Sequence, residues 1–412
     1  MAQRYDLVHQ RMLRHEVFRK RNSSHPEKDH QKCTLTPIES LLGKQNSAHS
    51  TVLVLGILVQ VEEGQYYLED PSGRVQVSFC NAVAADSFFV LENSILLVEA
   101  TFQDEILFIE RVGPPFIEQR QKSLQMLQQQ VRHNHFLPSE QFADDHSSCV
   151  VLSDAHLDQP RVLNFLEGLF QSYATDFDPS DLPLFCLMGN FTSNPQIPAY
   201  QAWEELAILI AKYPFLAQHA QFVFIPGPRD TKSAILPQTS ILESTLGLKR
   251  LMQSYQIENI HWASNPCRIR QNGKEIVLFR HDILSWMLQN QVRLPLMDGT
   301  EDRTPHSKMV KTILDQGHLM PVARAPIYWN YDHAMRLYPL PDAFILGCSS
   351  AMEDYEIYEG CDAIKPGSFA KNGKYATFSF ADNDAMDTCT SDGEESVMNT
   401  RVDFCQVKEP EN

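Results

Sequence analysis

Five short apolar runs, each stopping abruptly at a glycine or a charged side chain, constrain this chain more than anything else in it. They are "CVVLSDAH", ending at Asp154 and His156; "LFCLMGN", ending at Gly189 and Asn190; "FVFIPGPRD", ending at Gly227, Arg229 and Asp230; "IVLFRHD", reaching His281; and "AFILGCSS", ending at Gly347. Short runs that are apolar at every position, not at alternate ones, belong to strands buried on both faces. Between them lie stretches with helical spacing, such as "PRVLNFLEGLFQSY" and "AYQAWEELAILIAKYPFLAQHA". Strands alternating with helices imply a layered α/β sandwich, and the working loops of such sheets sit at the C-terminal ends of the strands. The polar residues gather at those ends.

The chain has 412 residues, enough for two domains. Residues 34–118 read as all-β. "TVLVLGILVQVEEGQYYLEDPSGRVQVSF" holds β-rich runs, a turn at Glu63-Gly64, a second turn at Asp70-Pro71-Ser72-Gly73, and then strict alternation of Val75, Val77 and Phe79. "SILLVEATFQDEILFIERVG" adds two strands around a tight Gln103-Asp104 turn. Five short strands in this span imply an OB-type barrel. The fold class is therefore α/β plus all-β, a barrel followed by a layered sandwich. Residues 1–33 form a basic N-terminal segment, 119–146 a Gln- and His-rich linker, 147–380 the α/β domain, and 381–412 an acidic tail that reads as disordered.

Charge and cysteine usage exclude several classes. The net charge of −17 opposes a phosphate backbone, so DNA binding by the isolated chain is expected to be weak. The barrel hairpin carries Glu62, Glu63, Glu69 and Asp70 against a lone Arg74, which disfavours a nucleic-acid groove there. The nine cysteines are scattered with no CxxC pair, as expected of reduced thiols in a cytosolic or nuclear protein without a structural zinc. No run is long and apolar enough to span a membrane, and the charged N-terminus is not a secretory signal.

The five strand ends resemble, in order, those of calcineurin-like metallophosphoesterases, whose motifs are D-x-H, G-D, G-N-H-D/E, a lone H and G-H-x-H. Two cations about 4 Å apart need anionic ligands and a bridging carboxylate. Here the first motif survives as Asp154-Ala155-His156. The second has Asn190 in place of the bridging Asp. The third reads Gly227-Pro228-Arg229-Asp230, with an arginine where the catalytic histidine would stand. His281 falls at the fourth position. The fifth keeps Gly347 but has Cys348 and Ser350 where both histidines should be. The glycines persist while the ligands and the acid–base group do not. The expectation is no catalytic residue, no metal and no cofactor. Asp154, His156, Asn190, Asp230, His281, Cys348 and Ser350 are read as vestigial ligand positions, and Arg229 is expected to pair with Asp154 or Asp230. The alternative, an active metal-dependent phosphodiesterase or nuclease, is opposed by the same substitutions.

A barrel followed by an inactivated phosphoesterase resembles the B subunits of the eukaryotic replicative DNA polymerases, most of all the epsilon branch. "RYDLVHQRMLRHEVF", "YYLEDPSGRVQV", "VVLSDAHLDQPRVLNFLEGLF", "FIPGPRD", "NPCRIR", "IKPGSF" and the long run "VKTILDQGHLMPVARAPIYWNYDHAMRLYPLPDAFILG" carry the resemblance, from about residue 4 to about residue 380. The resemblance implies a nuclear, non-catalytic subunit that binds the cysteine-rich C-terminal domain of the DNA polymerase epsilon catalytic subunit during leading-strand DNA replication. It also implies indirect links to small histone-fold subunits and to the replicative helicase assembly, with DNA met only inside the holoenzyme. Family members begin with a helical module that contacts the helicase's GINS complex. Met1 lies three residues before the match, which reads as a shortened form or an incomplete gene model. Clustered aromatics are enriched at protein interfaces, so Tyr328, Trp329, Tyr331 and Tyr338 are the candidate partner surface.

Overall fold

The computed structural model describes residues 2–18, 33–42, 51–132, 148–174, 181–194, 199–231, 233–241, 247–271, 273–380 and 400–407. The chain divides into two compact units. One comprises Met1–His133, Ile283–Ala325 and Arg336–Leu340; the other comprises Asn134–Asp282, Pro326–Met335 and Pro341–Asn412.

The first unit is the barrel. Its strands are β1 (Thr51–Glu62), β2 (Gln65–Asp70), β3 (Gly73–Ser78), β4 (Val83–Ala84), β5 (Ile95–Gln103) and β6 (Ile106–Gly113). They run in the order β3-β2-β1-β5-β6-β4, and β3 closes the sheet by pairing parallel with β6. Strand β1 is apolar almost throughout because both of its faces are covered. Val54 and Leu58 enter the barrel core with Leu68, Val75, Val98 and Ile109. Leu55 and Ile57 pack outward on Tyr5, Val8 and Met12 of helix α1 (Ala2–Arg14). Asp70 sets the β2–β3 turn by accepting from the backbone N–H groups of Ser72 and Gly73. The β5–β6 turn falls one residue later than the sequence suggested. Asp104 and Glu105 both take the left-handed conformation, at φ 51° and 63°, as a tight two-residue hairpin turn requires.

Two expectations about domain boundaries change here. The described part of the basic N-terminal segment packs with the barrel unit, because its arginines turn inward. Arg4 donates to the Gln316 side-chain oxygen at 2.7 Å, Arg11 to the Asp315 carbonyl, and Arg14 grips Glu118 with two bonds of 2.8 Å. Nor is 147–380 continuous, since Ile283–Ala325 clusters with the barrel. The helix Pro305–Gln316 explains why. The Gln316 amide accepts from the Ile95 N–H and donates to the Ile95 carbonyl, both at 2.7 Å, so it pairs with the start of β5 as a neighbouring strand would.

The second unit holds two sheets. Its first strands and helices are β7 (Ser148–Ser153), α2 (Pro160–Tyr173), β8 (Leu184–Met188), α3 (Ala199–Ala211), α4 (Pro214–His219), β9 (Gln221–Ile225), α5 (Leu248–Ser254) and β10 (Ile260–Trp262). Then come β11 (Cys267–Gln271), β12 (Lys274–Arg280), β13 (Ala343–Gly347), β14 (Asp354–Tyr358), β15 (Cys361–Lys365), β16 (Lys374–Phe380) and β17 (Thr400–Gln406). One sheet is ordered β10-β9-β8-β7-β16-β17 and the other β11-β12-β13-β15-β14. Strands β7 to β10 are mutually parallel, as are β12, β13 and β15.

Alternation along the strands assigns the two faces. Val150, Leu152, Phe185, Leu187, Phe222 and Phe224 face the helices. Val151, Cys186, Val223 and Ile225 face the second sheet and meet Ile276, Leu278, Ala343, Ile345 and Ile364. Helix α2 opens with Pro160 in its first turn and buries Val162, Phe165, Leu166, Leu169 and Phe170, which share one side at helical spacing. Truncating Phe165 or Phe170 to alanine would cost about 3–5 kcal/mol.

The acidic tail also needs correcting. Residues 400–406 form β17, which adds antiparallel to β16 from Lys374↔Gln406 to Phe380↔Thr400. Its apolar residues Val402 and Cys405 reach the two cores. Residues 381–399 and 408–412 of that expected tail lie outside the described residues.

Candidate functional site

The parallel strands bring their C-terminal ends to one edge of the second unit. Asp154 follows β7, Gly189 and Asn190 follow β8, Gly227 to Asp230 follow β9, His281 and Asp282 follow β12, and Cys348 follows β13. A cavity of about 480 Å³ opens there, lined by Asp154, His156, Asn190, Arg229, Asp282, Ser368 and Lys371 among others. Of the sequence-predicted positions, Asp154, His156 and Asn190 reach the cavity. Asp230, His281, Cys348 and Ser350 do not line it.

The glycines that survive are those the backbone packing demands. A Cβ on Gly189 would sit 1.8 Å from the Asp230 carboxylate, and one on Gly227 would sit 2.6 Å from the Asn190 side-chain oxygen. Asp230 ties these two turns together. It accepts from the Phe191 N–H at 2.8 Å through one oxygen and from the Gly227 N–H at 2.7 Å through the other. Burial pushes its carboxyl up to about 6, against the pull of those two donors. Asn190 is likewise engaged, because its side-chain oxygen accepts the Arg229 N–H at 3.0 Å.

Among the described residues Arg229 forms an ion pair with neither Asp154 nor Asp230, the two partners the sequence offered. Arg229 lies exposed at the rim, and its guanidinium donates to the Ser193 carbonyl at 3.4 Å. The partner of Asp154 is Arg280, the last residue of β12. Its Nη2 donates to Asp154 Oδ1 at 2.6 Å, its Nε to the Gly189 carbonyl at 2.6 Å, and its Nη1 to Asp282 Oδ2 at 3.3 Å. The Arg280 side chain has 0% exposure and that of Asp154 has 2%. Burial disfavours the charge on Arg280, but Asp154 and Asp282 more than offset it and raise the guanidinium above its ordinary value. The same partner helps hold Asp282 below the usual carboxylate range despite burial. Asp154 itself sits at φ 58°, a left-handed conformation that Asp tolerates better than most residues.

Sequence reasoning missed Arg280 because it settled on the neighbouring histidine. The signal was present, since a charged side chain closing the apolar run "IVLF" needs a buried partner. His281 stacks on Phe279 at 5.7 Å, and burial lowers its imidazole to about 4. Burial also lowers His156, so its 3.8 Å approach to Asp154 is that of a neutral ring at pH 7. Burial raises the Cys348 thiol above its ordinary value.

These residues do not fit the two-metal centre that the strand pattern implies. A buried guanidinium already holds the first aspartate, the bridging carboxylate is an amide, and that amide's oxygen is engaged by a backbone N–H. Among the described residues, no group of three or more His, Cys, Asp or Glu side chains is placed to hold a metal ion.

Of the candidate partner residues, Tyr328, Trp329 and Tyr331 are 51%, 56% and 55% exposed, and Tyr328 stacks on Tyr331 at 5.4 Å. Tyr338 differs. It belongs to the barrel unit and donates its hydroxyl to Glu118 at 2.8 Å.

An OB barrel and a two-sheet α/β sandwich, with the buried Arg280–Asp154 ion pair among the strand ends of the latter, define the class of protein. Residues 149–354 match the family of DNA polymerase alpha/epsilon B subunits, and residues 1–116 match the OB-fold domain of DNA polymerase epsilon subunit 2-like proteins. DNA polymerase epsilon subunit 2 of Bos taurus is 33% identical over 398 residues, covering 90% of this chain and 71% of the relative. The Homo sapiens protein of the same name is 33% identical over 394 residues, with the same coverage. That of Drosophila melanogaster is 29% identical over 391 residues, again covering 90% of this chain and 71% of the relative. The chain belongs to the family of DNA polymerase alpha/epsilon B subunits.

Proposed function

We propose that this chain is a non-catalytic accessory component of the nuclear DNA polymerase epsilon complex. It scaffolds the catalytic subunit, docking on that protein's cysteine-rich C-terminal domain during leading-strand synthesis. The observation that carries the non-catalytic half is the Arg280–Asp154 pair, which puts a fixed cation where hydrolysis would require exchangeable metal ions. The family relationship supports the assembly half. The exposed Tyr328, Trp329 and Tyr331 supply an anchor of the kind that dominates protein interfaces. Histone-fold subunits and the helicase assembly are reached through the catalytic subunit, and DNA is met in the assembled enzyme.

Co-expression with the C-terminal domain of the cognate catalytic subunit, followed by size-exclusion chromatography, tests the reading. One-to-one co-elution with a raised melting temperature is expected. A chain that elutes alone, with unchanged stability, would limit the kinship to the fold.

A further inference from the structure

The cavity at the strand ends is more than a relic of lost ligands. We propose that it binds a small phosphate-bearing anion, inorganic phosphate or a nucleoside monophosphate, using protein cations in place of metal. Its volume of about 480 Å³ suits such a ligand.

Two observations point to an occupant. Ser368 is 1% exposed and borders the cavity, yet its hydroxyl has no hydrogen-bond partner among the described residues. His156 lines the same space with both ring nitrogens buried and unbonded. A buried polar group left without a partner costs about 1–3 kcal/mol, and an anion's oxygens would satisfy the donors.

The most exposed charged side chains lining the cavity are cations, Arg229 and Lys371. Asp154 and Asp282 face the cavity, but Arg280 lies against both, at 2.6 and 3.3 Å. Nearby Asp158 is taken up by the N–H and O–H of Ser193 and the N–H of Asn194. Arg229 and Lys371 at the rim offset the carboxylates that Arg280 alone does not, so the site is close to charge balance with its cations outermost. Lys371 makes its bond to the Ser349 carbonyl at 2.6 Å and keeps further N–H donors for a ligand. Two cations, one from the loop after β9 and one from the short helix Phe369–Asn372, together with a hydroxyl and an imidazole, suit an anion with several acceptor oxygens.

Calorimetric titration of the full chain in chloride buffer tests this. Inorganic phosphate and deoxyadenosine monophosphate form separate arms, with sulfate as the control. Saturable one-to-one binding is expected in at least one arm. Lys371→Ala and Arg229→Ala should each weaken it about tenfold, and Ser368→Ala about threefold. Unliganded melting temperatures serve as the check that the variants fold. Binding of the nucleotide alone would name a nucleotide as the ligand, and binding of phosphate alone would name the free anion. No saturation by about 10 mM in either arm would overturn the proposal. So would a response matched by sulfate and indifferent to all three substitutions, which would mark a general salt effect.

Discussion

Arg280→Met is the perturbation that bears most on the site. Methionine keeps much of the side chain's bulk and removes its charge and donors. Asp154, with 2% exposure, would then be a buried carboxylate without its cation. The Gly189 carbonyl would retain only the longer bond from the Asp154 N–H, at 3.4 Å. Breaking a buried pair from one side typically costs about 3–5 kcal/mol. That is a large part of the roughly 5–15 kcal/mol that holds a domain folded. It corresponds to a fall in melting temperature of about 6–20 °C for a domain of 150–250 residues. Urea unfolding with an unchanged slope would read it directly. Asp154→Asn suits the left-handed backbone, and combining it with Arg280→Met removes both charges. The double variant should be more stable than Arg280→Met alone. A loss below about 1 kcal/mol for Arg280→Met, or a double variant showing the simple sum of the singles, would refute the claim that the pair is a coupled buried unit.

Other consequences can be measured on the same chain. Asp230→Ala strips the acceptor from two backbone N–H groups and should cost about 2–4 kcal/mol in denaturant unfolding. Because Asp230 has a folded value of about 6 against an ordinary 3.8, the native state binds more protons between those values. Its contribution to stability therefore falls as pH rises through that window, by up to about 3 kcal/mol. His281, lowered to about 4 from 6.5, acts with opposite sign, so its contribution is lost as pH falls from 6.5 to 4. Unfolding curves of Asp230→Ala and His281→Gln across pH 4 to 6.5 should change slope in opposite directions, and parallel changes would refute the assignment. Gly189→Ala would drive a methyl group into the Asp230 carboxylate, and should lose about 4 kcal/mol or fail to give soluble protein. Trp329→Ala and Tyr331→Ala should leave the stability of the free chain within about 1 kcal/mol of wild type while weakening co-elution with the catalytic subunit's C-terminal domain.

Much of this architecture was legible in the sequence because its signals are local. The barrel hairpin announced itself through Asp70-Pro71-Ser72-Gly73 and the alternation of Val75 and Val77. The strand ends did so through apolar runs broken at Gly189, Gly227 and Gly347. The expectations that failed depended on distant partners. Arg4 and Arg11 were legible only as part of a basic segment, because their acceptors on the helix Pro305–Gln316 lie some 300 positions away. Strand β17 was hidden because an acidic stretch dominates the composition around it, while its place is fixed by pairing with β16. Arg280 and Arg229 were both visible as arginines near strand ends. Only the register that sets Arg280 opposite Gly347, at the last rung of a buried strand, decides which guanidinium reaches Asp154.

The most direct test of the site is hydrolysis of a phosphodiester such as bis-p-nitrophenyl phosphate in the presence of manganese, run on the wild-type chain beside Asp154→Asn. A fixed guanidinium in place of exchangeable metal predicts no turnover above the uncatalysed rate in either protein. Turnover by the wild type that Asp154→Asn abolishes would contradict it, and would make this an enzyme whose metals enter despite Arg280.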